Sequence, residues 1–582
     1  MIDEYFKLGH RFVNAERRIW IGCTIAVCAW LMAAGSACAL TDPLSSVDAR
    51  PPGPYPVGCS DVAQNFALTP SDDDRGNYWE GTSIGGQGHY VTQLLVEPQG
   101  TLIYNVDVPD VRGLFTTFAG QPVPYAAIVC YPTSADNARP DYPYDAALTK
   151  FVPKMQRGSE PPLWADANAR YPVLLYSHGL SGSPLSGEYL QTITSFASYG
   201  YVVVAPFHGD GRFADVSVDG LADLVKLFFS GEFREVVELQ AIRPLSLQSA
   251  LDALLADPNY RNHVDAERVA GFGVSIGGES LLLFSGAQLT TDFFPRLQST
   301  QVISDARIKA IAGYVPYFGQ RLLPAFGDDQ NGVDGMTVPF LGIVGTADTT
   351  APILLTEQGV NRMQGARYAV AFDGLTHDLL LVDLPDIYTW TLTFLDAYLH
   401  NSAAARAQIA RMNEVKGGAA DTVHIDYTPP LAPANGEQIV VEFYNDYVNR
   451  FFLTAYAQEA SAIDQGAAGP GWRRTGLLFK AYGNEAVSGH PVCRFQSPGS
   501  NSHFYTIDAG ECQLLASSPA WISEGHAFRA LLPSGGVCPP AALPVYRAVS
   551  AADHRYTTSR SVYAQLQAAG WVQEGVGFCV NP

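Results

Sequence analysis

Residues 268–283 read RVAGFGVSIGGESLLL. An apolar run with small residues gives way to a glycine turn and then to a second apolar run. The spacing predicts a short strand, a sharp bend carrying Ser275, and a helix. Within it, Gly273-Val274-Ser275-Ile276-Gly277 is a G-x-S-x-G, a pattern that sets a serine hydroxyl on a strained strand-to-helix turn. The glycines are needed where main chains pack too closely for a side chain. The start of the helix favours negative charge beside the serine. A second match, Gly81-Thr82-Ser83-Ile84-Gly85, has no apolar strand before it and runs into Gly86-Gln87-Gly88, which would not propagate a helix. Ser83 therefore reads as a loop residue.

Around Ser275 the chain alternates. Apolar runs at Val173–Tyr176, Tyr201–Ala205, Val269–Val274, Ile308–Val315, Phe340–Val344 and Tyr368–Phe372 read as strands. Helical segments fall at Glu188–Tyr199, Leu245–Ala256, Gly278–Gly286, Ile353–Met363 and Ile387–His400. Short, fully apolar strands joined by helices predict a buried parallel sheet in an α/β fold. Three further runs, Val91–Val96, Leu102–Val106 and Ala126–Tyr131, are β-branched and aromatic without a helical period, and suit an antiparallel edge. Residues 214–240 are an insertion rich in Leu and Phe. They read either as an added helix pair or as a cap over an apolar substrate.

A serine hydroxyl is a poor nucleophile without a base held against it. Two downstream loops can supply the base and its partner acid. Phe340–Val344 ends in Gly345-Thr346-Ala347-Asp348, and Tyr368–Phe372 ends in Asp373-Gly374-Leu375-Thr376-His377-Asp378. Asp348 and His377 thus stand at carboxyl ends of parallel strands, where sites form in such sheets. Asp373 and Asp378 compete with Asp348 as the acid. The first of the strands ends in Ser177-His178-Gly179-Leu180-Ser181-Gly182, an H-G-x-x-G loop.

These motifs, with Ala197-Ser198-Tyr199-Gly200-Tyr201-Val202-Val203-Val204-Ala205-Pro206, make residues 171–400 resemble the α/β-hydrolase superfamily. The nearest branches are the platelet-activating-factor acetylhydrolase and dienelactone-hydrolase-like ones. Val274 stands where the first branch has histidine, and Ser275 where many members of the second have cysteine. The Gly345–Pro352 loop also resembles that of cutinase-like polyester hydrolases. The resemblance implies a carboxylic-ester hydrolase that uses neither a metal nor an organic cofactor, with its triad in the order Ser275, Asp348, His377. His178 and His208 precede the serine, and the order disfavours both as base; His178 reads as a structural hydrogen-bonder. The oxyanion donors would be the amides of Ile276 and Leu180.

The formal charge of −21 argues against nucleic acid and against an anionic membrane surface as partners. Arg17-Arg18, the apolar run Ile19–Ala34 and Ala37-Cys38-Ala39 read as a signal peptide over residues 1–39, with an uncleaved anchor as the alternative. That predicts a secreted or periplasmic bacterial protein with no stable membrane insertion after cleavage. Three of the nine cysteines lie in that segment. The other six suggest Cys59–Cys130, Cys493–Cys512 and Cys538–Cys579 as disulfides. Asp72-Asp73-Asp74 lacks the spaced ligands of a calcium loop and reads as a solvated turn.

The catalytic domain would span residues 40–425. A Pro-rich linker follows at 426–438, around Thr428-Pro429-Pro430-Leu431-Ala432-Pro433. Residues 439–582 then repeat. Val441–Tyr444 with Arg450–Thr454, Val492–Phe495 with His503–Thr506, and Val545–Ala548 with His554–Thr557 each lead to a tryptophan: Trp472, Trp521 and Trp571. These are three strand-strand-helix-strand units, a smaller α+β domain with pseudo-threefold symmetry. The module resembles an uncharacterised repeat appended to secreted bacterial proteins. The sequence therefore predicts a secreted esterase or lipase acting on an apolar ester. Polyester hydrolysis, acyl transfer or peptide cleavage on the same three residues are alternatives, as is a glycan- or polymer-surface-binding protein on an inactive hydrolase scaffold.

Overall fold

The computed structural model describes residues 46–65, 91–145, 150–213, 232–292, 297–320 and 323–582. The expected signal peptide, Ser83, Asp72–Asp74 and most of the 214–240 insertion lie outside them. Among the described residues, no helix is long and apolar enough to cross a membrane.

Ten strands form the main sheet: β1 Val57–Cys59, β2 Leu102–Asp107, β3 Pro122–Pro132, β4 Tyr171–Ser177, β5 Val202–Pro206, β6 Val264–Val274, β7 Ile308–Tyr314, β8 Phe340–Gly345, β9 Arg367–Phe372 and β10 Asp421–Tyr427. Their order across the sheet is β10-β9-β8-β7-β6-β4-β5-β3-β1, with β2 also paired to β3. The six strands β4 to β9 run parallel; β10 and the β1–β3 edge are antiparallel. Every residue of β4, β5 and β8 is buried. This is why their sequences are continuously apolar rather than alternating: both faces are covered.

Successive residues feed two cores. Leu174, Tyr176, Val203, Ala205, Ala270 and Phe272 pack on one face with α1 Tyr189–Ser198, α5 Leu384–Tyr398 and the short α6 Ala403–Ile409. Val173, Leu175, Val202, Val204 and Val269 pack on the other with α2 Glu232–Ala256, α3 Ile276–Phe284 and α4 Ile353–Arg362. From β4 the chain steps outward to β5. It then returns across β4 to β6 and continues the opposite way through β7, β8 and β9. The switch in direction lies between β4 and β6, which opens a crevice at their carboxyl ends.

Two local expectations are corrected. Val91–Val96 is not a strand: Val91–Gln93 is a 3-10 turn, and Leu95 makes only an isolated bridge to Gln64. Val91, Leu94 and Leu95 are the buried positions, a spacing that a helical turn satisfies and alternation does not. Helix α2 already runs at Glu232, well before Leu245, and passes through Pro244. A proline that reads as a start signal is here accommodated inside the helix.

The cysteines pair as Cys59–Cys130, Cys493–Cys512 and Cys538–Cys579. Three disulfides fit an oxidising extracellular or periplasmic compartment. The first joins β1 to β3 at the sheet edge.

Beyond β10, residues 428–436 carry no helix or strand. Three units follow. They are β11 Glu437–Asn445, β12 Arg450–Thr454, α7 Ala457–Asp464 and β13 Trp472–Tyr482; then β14 His490–Ser497, β15 Ser502–Thr506, α8 Ala509–Ala516 and β16 Ile522–Ala530; then β17 Leu543–Val549, β18 His554–Thr557, α9 Arg560–Ala568 and β19 Val572–Val580. Each unit sends equivalent residues into one core: Val440, Leu453 and Phe479; Val492, Tyr505 and Phe528; Val545, Tyr556 and Phe578. The three phenylalanines close a triangle with ring centroids 5.9, 5.5 and 6.2 Å apart. Arg494 pairs with Glu459 of the preceding unit and Arg547 with Glu511 of its own predecessor. The ring closes with the charges exchanged, Glu442 of the first unit accepting Arg555 of the third. Trp472, Trp521 and Trp571 are half-buried against Phe452, Phe504 and Phe451.

The module is seated on the rest of the chain. Asp426, at the end of β10, is buried and accepts from the Ser559 hydroxyl at 2.7 Å and from the amides of Arg560 and Ser561 at 2.7 and 2.9 Å. It thereby caps the N-terminus of α9 across the linker.

Candidate active site

Ser275 occupies the bend between β6 and α3 with φ 54° and ψ −122°, a backbone conformation that L residues seldom adopt. The surroundings over-determine it. Its amide donates to the Tyr314 carbonyl at 3.0 Å, and its own carbonyl accepts from Gly278 and Tyr317. A Cβ on Gly273 would lie 2.4 Å from the Gly277 carbonyl carbon, so neither flanking glycine of the motif has room for a side chain. Val315, next to Tyr314, also takes a positive φ of 41°. That strain, in a β-branched residue, has no signature in the sequence.

The switch point brings the separate loops together. The His377 Nε2 lies 2.9 Å from the Ser275 Oγ, and its Nδ1 lies 2.7 Å from the Asp348 Oδ2. The Asp348 side chain is fully enclosed, and its other oxygen accepts the amides of Thr350 and Ala351, both at 2.8 Å. With every donor to the carboxylate pointing inward, Asp348 is fixed as an acceptor. The His377 Nδ1 is then the donor to that carboxylate, and its Nε2 faces the serine hydroxyl.

The competing acids are engaged elsewhere. Asp373 accepts from the Thr346 hydroxyl at 3.1 Å, and the Asp378 carboxylate from the Thr376 hydroxyl at 3.4 Å. His178 is fully buried. Burial, reinforced by the Arg243 charge, lowers its pKa to about 3, so the ring stays neutral.

Ile276 is the first residue of α3, and its amide has no intrahelical acceptor. The loop carrying Leu180 abuts the serine: a Cβ on Gly179 would stand 3.8 Å from the Ser275 Cβ. Ile276 follows the serine directly, and the loop that carries Leu180 meets it from the end of β4.

Behind the site lie groups that the sequence did not reveal. Arg243 and Asp210 form a buried ion pair, with His208 and Ser177 hydrogen-bonded beside it at 2.9 Å. Glu279, one turn into α3, is fully buried. Its Oε1 accepts from the Gln240 side-chain amide at 2.8 Å, and burial raises its pKa to about 8. The hint in the sequence is Glu279, a lone charge in the apolar α3; Arg243 stands in a helix with several other charged residues and has no such mark.

The arrangement sets the Ser275 hydroxyl, the His377 imidazole and the Asp348 carboxylate in one hydrogen-bonded line, with the Gly179 end of the β4 loop beside the serine. No curated protein matches the chain. Residues 440–581, the three-unit module, match the family model described as a domain of unknown function (DUF5648).

Proposed function

We propose that the chain is a serine hydrolase of carboxylic esters, working on an α/β-hydrolase scaffold. The single observation that carries the reading is the unbroken hydrogen-bonded line Ser275–His377–Asp348 at the carboxyl edge of a parallel sheet. The strained turn at Ser275 and the direction switch between β4 and β6 support it.

In this reading the Ser275 Oγ attacks the ester carbonyl while His377 Nε2 takes its proton. Asp348 holds the imidazole in the required tautomer and stabilises the imidazolium that forms. The oxyanion of the tetrahedral intermediate is held by the amides of Leu180 and Ile276, next to the positive end of α3. Collapse of the intermediate returns the proton to the departing alcohol. Water, deprotonated by His377, then frees the acid and restores the serine. The chemistry takes place outside the cytoplasm, in a secreted or periplasmic protein whose disulfides are formed.

The test is hydrolysis of p-nitrophenyl esters by the full chain and by Ser275→Ala. Loss of about four or more orders of magnitude in kcat is expected. Undiminished turnover in the variant would refute the reading.

A further inference from the structure

We propose that the buried Arg243–Asp210 pair is the positioning device that aims the oxyanion donor of Leu180; the inference rests on the acyl-transfer reading above. Arg243 is fully enclosed and the Asp210 side chain is 2% exposed. The guanidinium Nε donates to the Asp210 Oδ1 at 3.0 Å and its Nη2 to the Oδ2 at 2.5 Å. The remaining donors reach the main chain of the H-G-x-x-G loop: Nη1 to the His178 carbonyl at 2.8 Å and Nη2 to the Gly179 carbonyl at 3.0 Å.

Asp210 completes the grip by accepting the Ser181 amide at 3.0 Å. Ser181 itself stands at a positive φ of 54°. The His178 Nε2 accepts the His208 amide at 3.3 Å, so its proton sits on Nδ1 and also goes to the Gly179 carbonyl, 2.8 Å away.

The consequence follows from peptide planarity. The carbonyl of Gly179 and the amide of Leu180 belong to one peptide and point in opposite directions. Drawing the carbonyl back onto Arg243 and His178 turns the Leu180 N–H away from them. Because Gly179 adjoins Ser275, that N–H is presented beside the nucleophile. A buried ion pair is a poor source of stability, since desolvation offsets most of the attraction. Its geometry, a planar fork that bridges one carboxylate and two carbonyls, is suited to orientation, and lysine cannot reproduce it.

The test compares wild type, Arg243→Lys and the paired variant Arg243→Met with Asp210→Leu. The paired variant removes both charges and leaves neither stranded. Kinetics on p-nitrophenyl esters are read alongside inhibition by a trifluoromethyl ketone, whose serine adduct carries an oxyanion. The expected result is a 10²–10³-fold fall in kcat. KM should stay within about threefold and the ketone Ki should rise by a factor comparable to the kcat loss. A folded paired variant with kcat near wild type would overturn the clamp, as would a kcat loss with the ketone Ki unchanged. If the paired variant gives no cooperative thermal transition, the pair is a folding element and the proposal is likewise overturned. Labelling of wild-type Ser275 by a fluorophosphonate separates the two failures: without it the hydrolase reading falls, and with it only the clamp does.

Discussion

Gly277 meets the end of the neighbouring strand so closely that a Cβ built on it would stand 1.9 Å from the Ser177 carbonyl oxygen. That approach locks the first turn of α3 to the loop carrying Leu180, and it involves main chain on both sides. Gly277→Ala is therefore expected to push apart the Leu180 and Ile276 amides, the proposed oxyanion donors. A shift on the order of 1 Å costs about 10²-fold in rate. Steady-state kinetics on a soluble ester check this, and a variant with full kcat would show that the loop yields without cost.

Glu279 gives the protein a pH-dependent stability. Its carboxyl is raised from an ordinary 4.5 to about 8, chiefly by burial, against the opposing Gln240 hydrogen bond and Arg243 charge. Between those pH values the folded state keeps a proton that the unfolded chain has released. The contribution is fully present below about pH 4.5 and is lost as pH rises through 8. Glu279→Gln keeps an acceptor for Gln240 and removes the titration. The Tm of the variant relative to wild type should climb from pH 4.5 to pH 8. Parallel Tm profiles would show that the carboxyl does not titrate there.

Asp426 ties the module to the sheet domain through three donors at the start of α9. Asp426→Ala leaves those buried donors unmet, at about 1–3 kcal/mol each in the worst case. The expected outcome is faster limited proteolysis within residues 428–436, read by mass spectrometry. Unchanged cleavage would mean that other contacts, such as that of Arg411 with the Pro539 carbonyl, hold the module by themselves.

Cys59–Cys130 closes a long loop at the edge of the sheet, spanning 71 positions. Replacing both cysteines with serine should lower stability by about 2–4 kcal/mol. Chemical denaturation should show this as an earlier first transition. An unmoved midpoint would place the stability of that edge in the β1–β3 pairing alone.

The parallel strands were legible because burial on both faces leaves an unmistakable run, as in Val173–Tyr176 and Phe340–Val344. The threefold module was legible from its repeats. In Val91–Val96 the β-branched residues point to a strand, while the i, i+3, i+4 spacing of the buried Val91, Leu94 and Leu95 belongs to a helical turn. Pro244 resembles a boundary signal, and a helix taken from Leu245 onward leaves Arg243 outside it. The Arg243–Asp210 pair joins residues 33 positions apart, and neither has a local pattern that points to the other. Chain order narrowed the acid of the site, but it left Asp348, Asp373 and Asp378 in competition. Only the fold brings one carboxylate, that of Asp348, to the His377 Nδ1.

The most direct measurement is mass spectrometry of the full chain after reaction with a fluorophosphonate. The account predicts a single adduct, on Ser275, forming at a rate that drops by orders of magnitude in His377→Ala. An unmodified Ser275, or an adduct at another residue with ester turnover intact, would contradict it.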